Sequence, residues 1–107
     1  MTLSRTTRQR VISAYRFHCG SPNTQAAAQL VAVATAGGWI ARKESPPGMV
    51  LQLWATERTP PLWAVYAAAT WLRANRVEVT DRAEREAFEE ALSVMDAQTP
   101  DASSERG

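Results

Sequence analysis

His18 is the residue best suited to acid–base chemistry near neutral pH, because it is the only histidine in the 107-residue chain. A Ser-His-Asp or Cys-His arrangement would have to use it. Its neighbour Cys19 is the only cysteine, but adjacent side chains on a helix point about 100° apart, which disfavours a nucleophile and base pair. We expect both residues to lie in the core or at its boundary, and we predict that the chain is not an enzyme.

Sequence signals for a metal, cofactor or other catalytic site are weak. Glu86, Glu89 and Glu90 could approximate a cation site, but a single exposed helix face forms no closed oxygen cage. A solvated acidic face is the better interpretation. The sequence contains no Walker-type phosphate loop, no GxGxxG, no CxxC and no HExxH. We therefore predict no catalytic residues, no metal site and no cofactor.

Charge is unevenly divided along the chain. Residues 1–58 hold seven basic and two acidic residues, whereas residues 59–107 hold five arginines and nine acidic residues, which gives net charges of +5 and −4. Such asymmetry can orient a macromolecular partner. The lone cysteine suggests a reducing compartment, and neither a secretory leader nor a run of about 18 apolar residues is evident. We expect a cytoplasmic protein that does not enter a membrane.

Apolar periodicity and turn residues divide the chain into six predicted elements. Two extended segments flank a turn-rich joint at residues 45–48, which predicts a β-hairpin. The predicted order is ααββαα, an α+β fold of four helices around one hairpin, with a single domain over residues 1–97 and a flexible tail over residues 98–107. The helices are expected at Ser4–Cys19, Gln25–Ala36, Leu62–Asn75 and from Thr80 or Asp81 to Asp96, and the strands at Trp39–Glu44 and Met49–Glu57.

The hairpin would carry the most informative surface. Pairing Glu44 with Met49 places Trp39 opposite Trp54 on one face, while the aliphatic residues occupy the other face and pack on the helices. The two indoles, with Arg42 and Lys43, then form a predicted partner-binding surface, since such residues often dominate binding energy. The alternative is that a helix covers this face too and both tryptophans serve packing.

Nucleic-acid binding is the competing hypothesis. Arg42 and Lys43 would lie near the hairpin, and two helices followed by a hairpin resemble, in element order, part of a winged helix. The second helix offers few long polar side chains for reading base edges. Phosphate contacts would then come from the basic N-terminal half, through Arg5, Arg8, Arg16, Arg42 and Lys43.

The leading hypothesis is a small, non-enzymatic protein-interaction module. A bacterial regulator, or a phage or mobile-element protein that inhibits a host assembly, would fit this description. A homodimer is also plausible, because the third predicted helix is apolar on all sides and a second copy could cover it. Trp63 and Trp71 are the expected dimer contacts.

Overall fold

All five regular elements of the described chain are α-helices. The computed structural model describes residues 3–40 and 48–98, and these ranges contain no strand. The α+β prediction is therefore wrong, and the fold is all-helical. The helices are α1 at Arg5–Cys19, α2 at Asn23–Ala36, α3 at Gly48–Thr56, α4 at Leu62–Ala74 and α5 at Arg82–Gln98.

The predicted hairpin fails because its second strand is helix α3. Leu51 is fully buried, and Trp54 and Ala55 pack against the core beside it. These positions follow the i, i+3, i+4 spacing of a helix, whereas a strand would have buried Leu51 and Leu53 on one side. Met49, which a strand would have placed on the same face as Leu51, is 71% exposed. The first strand is described only at Trp39 and Ile40, and its other residues lie outside the described ranges.

Local hydrogen bonds fix the ends of α1 and the start of α5. The Ser4 hydroxyl accepts a hydrogen bond from the Thr7 backbone N–H at 3.1 Å, which caps α1. Gly20 then ends α1 in the left-handed conformation (φ 68°) that favours glycine. The Asp81 carboxylate accepts from the Glu84 N–H at 2.9 Å, which confirms Asp81 as the cap of the last helix.

A Schellman motif ends α2 and positions Trp39. The Trp39 N–H donates to the Ala34 carbonyl at 3.0 Å and the Gly38 N–H to the Thr35 carbonyl at 3.1 Å, with Gly38 at φ 81°. The indole then lies against Gly37, where an added Cβ would come within 2.6 Å of the ring. At the other end, α2 follows Pro22 without a side-chain cap and begins at Asn23, two residues before the predicted Gln25.

Helix α1 is the centre of the fold and contacts each of the other four helices. It runs antiparallel to α5, because Thr7 lies beside Glu90 at one end of the pair and Ser13 beside Glu84 at the other. The Tyr15 hydroxyl donates to the Ala26 carbonyl of α2 at 2.6 Å. Burial, with a smaller contribution from Cys19, raises the pKa of Tyr15.

Helix α4 is buried on nearly all sides, as its composition predicts. Seven of its residues, Ala64 to Ala69 and Leu72, are inaccessible or almost so. Its backbone lies close to α1, α2 and α5, and α3 reaches it through a tryptophan side chain. Four of the seven are alanines, which allow neighbouring helices to approach closely. Helices of the same chain thus cover most of α4.

Candidate functional site

Trp39, the first residue of the predicted binding surface, packs inside the chain. It is half-buried and contacts the core. Its ring lies 5.9 Å from that of Tyr66 on α4, with an interplanar angle of 52°. The Tyr66 hydroxyl is itself buried and has no hydrogen-bond partner among the described residues. The Trp39 indole therefore packs the C-terminal end of α2 against α4.

Trp54, the second indole of the predicted surface, also packs on α4, about one helical turn before the residue that Trp39 contacts. It meets Trp63 edge to face, with ring centroids 5.7 Å apart and an interplanar angle of 85°. Tyr66 and Trp63 are three residues apart and share one side of α4. The two predicted indoles thus each contact α4 rather than facing one another, while Arg42 and Lys43 lie outside the described residues.

A double-mutant cycle tests the packing of Trp54 on Trp63. Replacing each with leucine, singly and together, is expected to reveal a coupling energy of about 0.5–1.5 kcal/mol, since edge-to-face aromatic pairs contribute that much beyond burial. Urea denaturation of the four proteins measures it. Strictly additive losses would show that the two rings do not stabilise each other.

The predicted phosphate-contacting arginines of α1 are engaged within the fold. Arg8 donates from Nε to the Leu3 carbonyl at 2.9 Å and from Nη1 to the Pro60 carbonyl at 3.2 Å. Arg5 donates to the Glu57 carbonyl, and Arg16 donates to the Asn23 side chain at 3.3 Å. These contacts tie α1 to the connection before α4 and to the start of α2. The described residues 48–56, which were expected to form one strand of the wing of a winged helix, are instead helical.

His18 and Cys19 lie on the last turn of α1 and are both half-buried. The Nε2 atom of His18 is buried without a hydrogen-bond partner among the described residues, and the Cys19 thiol faces the Arg16 carbonyl at 3.6 Å. Within the described ranges no cluster of three or more His, Cys, Asp or Glu side chains could hold a metal ion. The position of the two residues matches the expected core boundary.

An exposed aromatic ring on α1 marks a different surface. Phe17 is 73% exposed and borders a cleft of about 310 Å³ whose other lining residues are Ser13, Thr80, Asp81 and Glu84. The Phe17 ring meets the His18 ring edge to face at 5.0 Å. We call these five lining residues the Phe17 surface. The sequence signal for it was available, because an aromatic residue two positions after Tyr15 falls outside the apolar stripe of α1.

Hydrogen bonds hold the walls of the Phe17 surface in place. The Ser13 hydroxyl donates to Oε2 of Glu84 at 2.9 Å and joins α1 to α5. Asp81 is fixed by its cap bond to the Glu84 N–H. Hydrogen bonds therefore orient the two carboxylates, at the start of α5, beside the exposed phenyl ring of α1.

A larger groove of about 540 Å³ runs between α2 and α4. Its lining includes Val33, Thr70 and Trp71, and the Thr70 hydroxyl is buried without a hydrogen-bond partner in the described chain. Trp71 also packs edge-on against Tyr15 at 5.3 Å. Of the two expected dimer contacts, Trp71 thus lines this groove and Trp63 packs on Trp54. The homodimer stays a prediction.

Comparisons with known proteins identified no relative of this chain. No protein family, curated protein or solved structure matches the chain significantly. None of the helices in the described part of the chain combines the length and the apolar character required to cross a bilayer.

Proposed function

We propose that this chain is a non-enzymatic protein-interaction module that docks its partner on the Phe17 surface. The observation that carries the proposal is the 73% exposure of Phe17 beside a cleft. Aromatic side chains are enriched in protein interfaces, where they act as anchors. The lone free cysteine, Cys19, favours a reducing compartment, so the proposal includes a cytoplasmic site of action.

The setting of Phe17 supports such a role. Its helix, α1, packs on every other helix of the described fold, and the neighbouring wall is joined to α1 by the bond from Ser13 to Glu84. Because the other helices hold α1, the backbone that carries Phe17 is ordered before a partner binds and loses little conformational entropy on binding. The arrangement therefore favours recognition by a preformed surface.

The internal bonds of Arg5, Arg8 and Arg16 weigh against the nucleic-acid alternative. Their guanidinium groups donate to backbone carbonyls or to Asn23. Binding of phosphates through the same groups would compete with contacts that hold the fold together. Trp39 and Trp54 remain proposed partner contacts only through the edges that their packing leaves accessible.

Replacing Phe17 with alanine is expected to abolish partner capture without affecting folding. Stability should change by no more than about 0.5 kcal/mol, because the ring is largely exposed. Affinity capture from a native lysate, with mass spectrometry and with and without nuclease, compares the wild type with Phe17→Ala. Met49→Ala is the matched control, because Met49 is similarly exposed, at 71%, on α3.

The outcomes separate the hypotheses. Loss of the same captured protein in Phe17→Ala, but not in Met49→Ala, supports the proposal. Identical capture by all three proteins contradicts it. Capture that nuclease removes and that declines steeply with salt would favour nucleic-acid binding instead.

A further inference from the structure

We propose that the Phe17 surface accepts an arginine side chain from the protein partner, with the guanidinium between the phenyl ring and the carboxylates of Asp81 and Glu84. This inference rests on the proposed function and specifies which side chain of the partner binds in the cleft. It follows from the juxtaposition of an exposed aromatic ring with two carboxylates in one cleft.

The charge of the cleft selects a cation. Its lining contains Asp81 and Glu84 but no lysine or arginine. The ion pairs of the described chain join Arg73 to Asp96 and Arg82 to Glu86, so neither cleft carboxylate is neutralised by a salt bridge. An anionic or phosphorylated partner segment would meet two like charges here and is disfavoured.

Both carboxylates keep capacity for further donors. Asp81 uses Oδ2 to accept the Glu84 N–H, and Glu84 uses Oε2 to accept the Ser13 hydroxyl. An ionised carboxylate offers about four acceptor sites on its two oxygens. The existing bonds therefore orient the two groups and leave room for the donors of an incoming cation.

Phe17 favours arginine over lysine. A guanidinium group is planar and weakly hydrated, so it can lie against an aromatic face while its N–H groups reach a carboxylate. A lysine ammonium is a compact, strongly hydrated charge and gains less from the ring. The aliphatic part of the arginine would cover the phenyl ring, which a purely polar ligand would leave in water.

Nearby cations do not occupy the cleft. Arg16 precedes Phe17, but its guanidinium donates to Asn23 at the start of α2. Arg82 is paired with Glu86 at 3.3 Å, and Arg85 is exposed and outside the cleft lining. Among the residues that the structure describes, no cation therefore occupies the cleft, and the cleft can accept one from another molecule.

The test uses N-acetyl-arginine amide as the probe and ¹⁵N-labelled full chain. Titration is followed by amide chemical shifts around Ser13, Thr80 and Glu84. Asp81→Asn/Glu84→Gln removes both charges but keeps an N-cap side chain and an acceptor for Ser13. Glu89→Gln/Glu90→Gln is the matched control, because it removes two carboxylates from exposed positions of the same helix that lie outside the cleft lining.

A saturable shift localised to the cleft is expected with the arginine probe. Affinity should decrease about fivefold in Asp81→Asn/Glu84→Gln and remain unchanged in the control pair. N-acetyl-lysine amide should bind more weakly than the arginine probe, and N-acetyl-leucine amide should cause no comparable shift. Raising NaCl to about 0.5 M should weaken the arginine signal, since it shortens the screening length to roughly 4 Å.

Equal shifts with the leucine probe, or equal losses in both double variants, would overturn the inference. The partner-capture experiment distinguishes this failure from that of the proposed function. If Phe17→Ala loses the partner while Asp81→Asn/Glu84→Gln retains it, the result supports docking on the Phe17 surface and contradicts recognition of an arginine side chain. If neither variant loses it, both proposals fail.

Discussion

Replacing Leu51 with alanine is expected to lower the free energy of unfolding by about 2–5 kcal/mol, because the change removes buried methyl groups and leaves a cavity. Leu51 is fully buried in α3, which packs on both α1 and α2. Urea denaturation followed by far-UV circular dichroism measures the change. The loss is expected to be the largest among the substitutions considered for this fold.

Met49→Ala is the control that separates a helix from a strand at this position. On a hairpin, Met49 and Leu51 would share the buried face and both substitutions would destabilise the protein. On α3, Met49 is 71% exposed, so its replacement should change stability by no more than about 0.5 kcal/mol. Similar large losses from both variants would contradict the helical structure of residues 48–56.

Replacing Arg8 with methionine is expected to lower the free energy of unfolding by about 1.5–3 kcal/mol, the range for hydrogen bonds that involve a charged group. Methionine keeps much of the apolar stem but removes the donors to the Leu3 and Pro60 carbonyls. Both carbonyls belong to segments that α1 holds in place. Thermal and urea denaturation of the variant measure the effect.

Arg10→Met provides a matched comparison with the same loss of charge. Arg10 is exposed on α1, and no hydrogen bond or ion pair joins its guanidinium group to another residue of the described chain. Its replacement should leave stability almost unchanged. If both variants are equally stable, the Arg8 contacts contribute nothing to the fold, and Arg8 again becomes available for binding phosphate.

The assignment of Arg8 changes how the basic N-terminal half is understood. Net charge along a sequence counts an arginine equally whether its guanidinium faces a partner or a carbonyl of its own chain. In the structure Arg8 is half-buried and Arg10 is exposed, although they are two residues apart. The charge asymmetry of the chain therefore overstates the cationic surface of α1.

Four helices could be predicted from the sequence because their signals are local. Ser4 caps α1, Gly20 and Gly38 end α1 and α2 in the left-handed region, and Asp81 caps α5. The apolar stripe of α2 and the all-round apolar character of α4 also indicated what would be buried. Capping and periodicity act within a few residues, so the chain specifies them without its tertiary neighbours.

Helix α3 and the candidate site depended on tertiary packing. Over the run at residues 49–55, apolar residues fit both a two-residue and a three-to-four-residue period. The packing of α3 on α1 and α2, which buries Leu51, decides for the helix. Similarly, Phe17 and Glu84 are 67 positions apart, and the antiparallel packing of α1 on α5 is what makes them neighbours. The sequence by itself placed four helices to within about two residues at each end, whereas burial against distant residues decided the fifth helix and brought an aromatic ring beside two carboxylates.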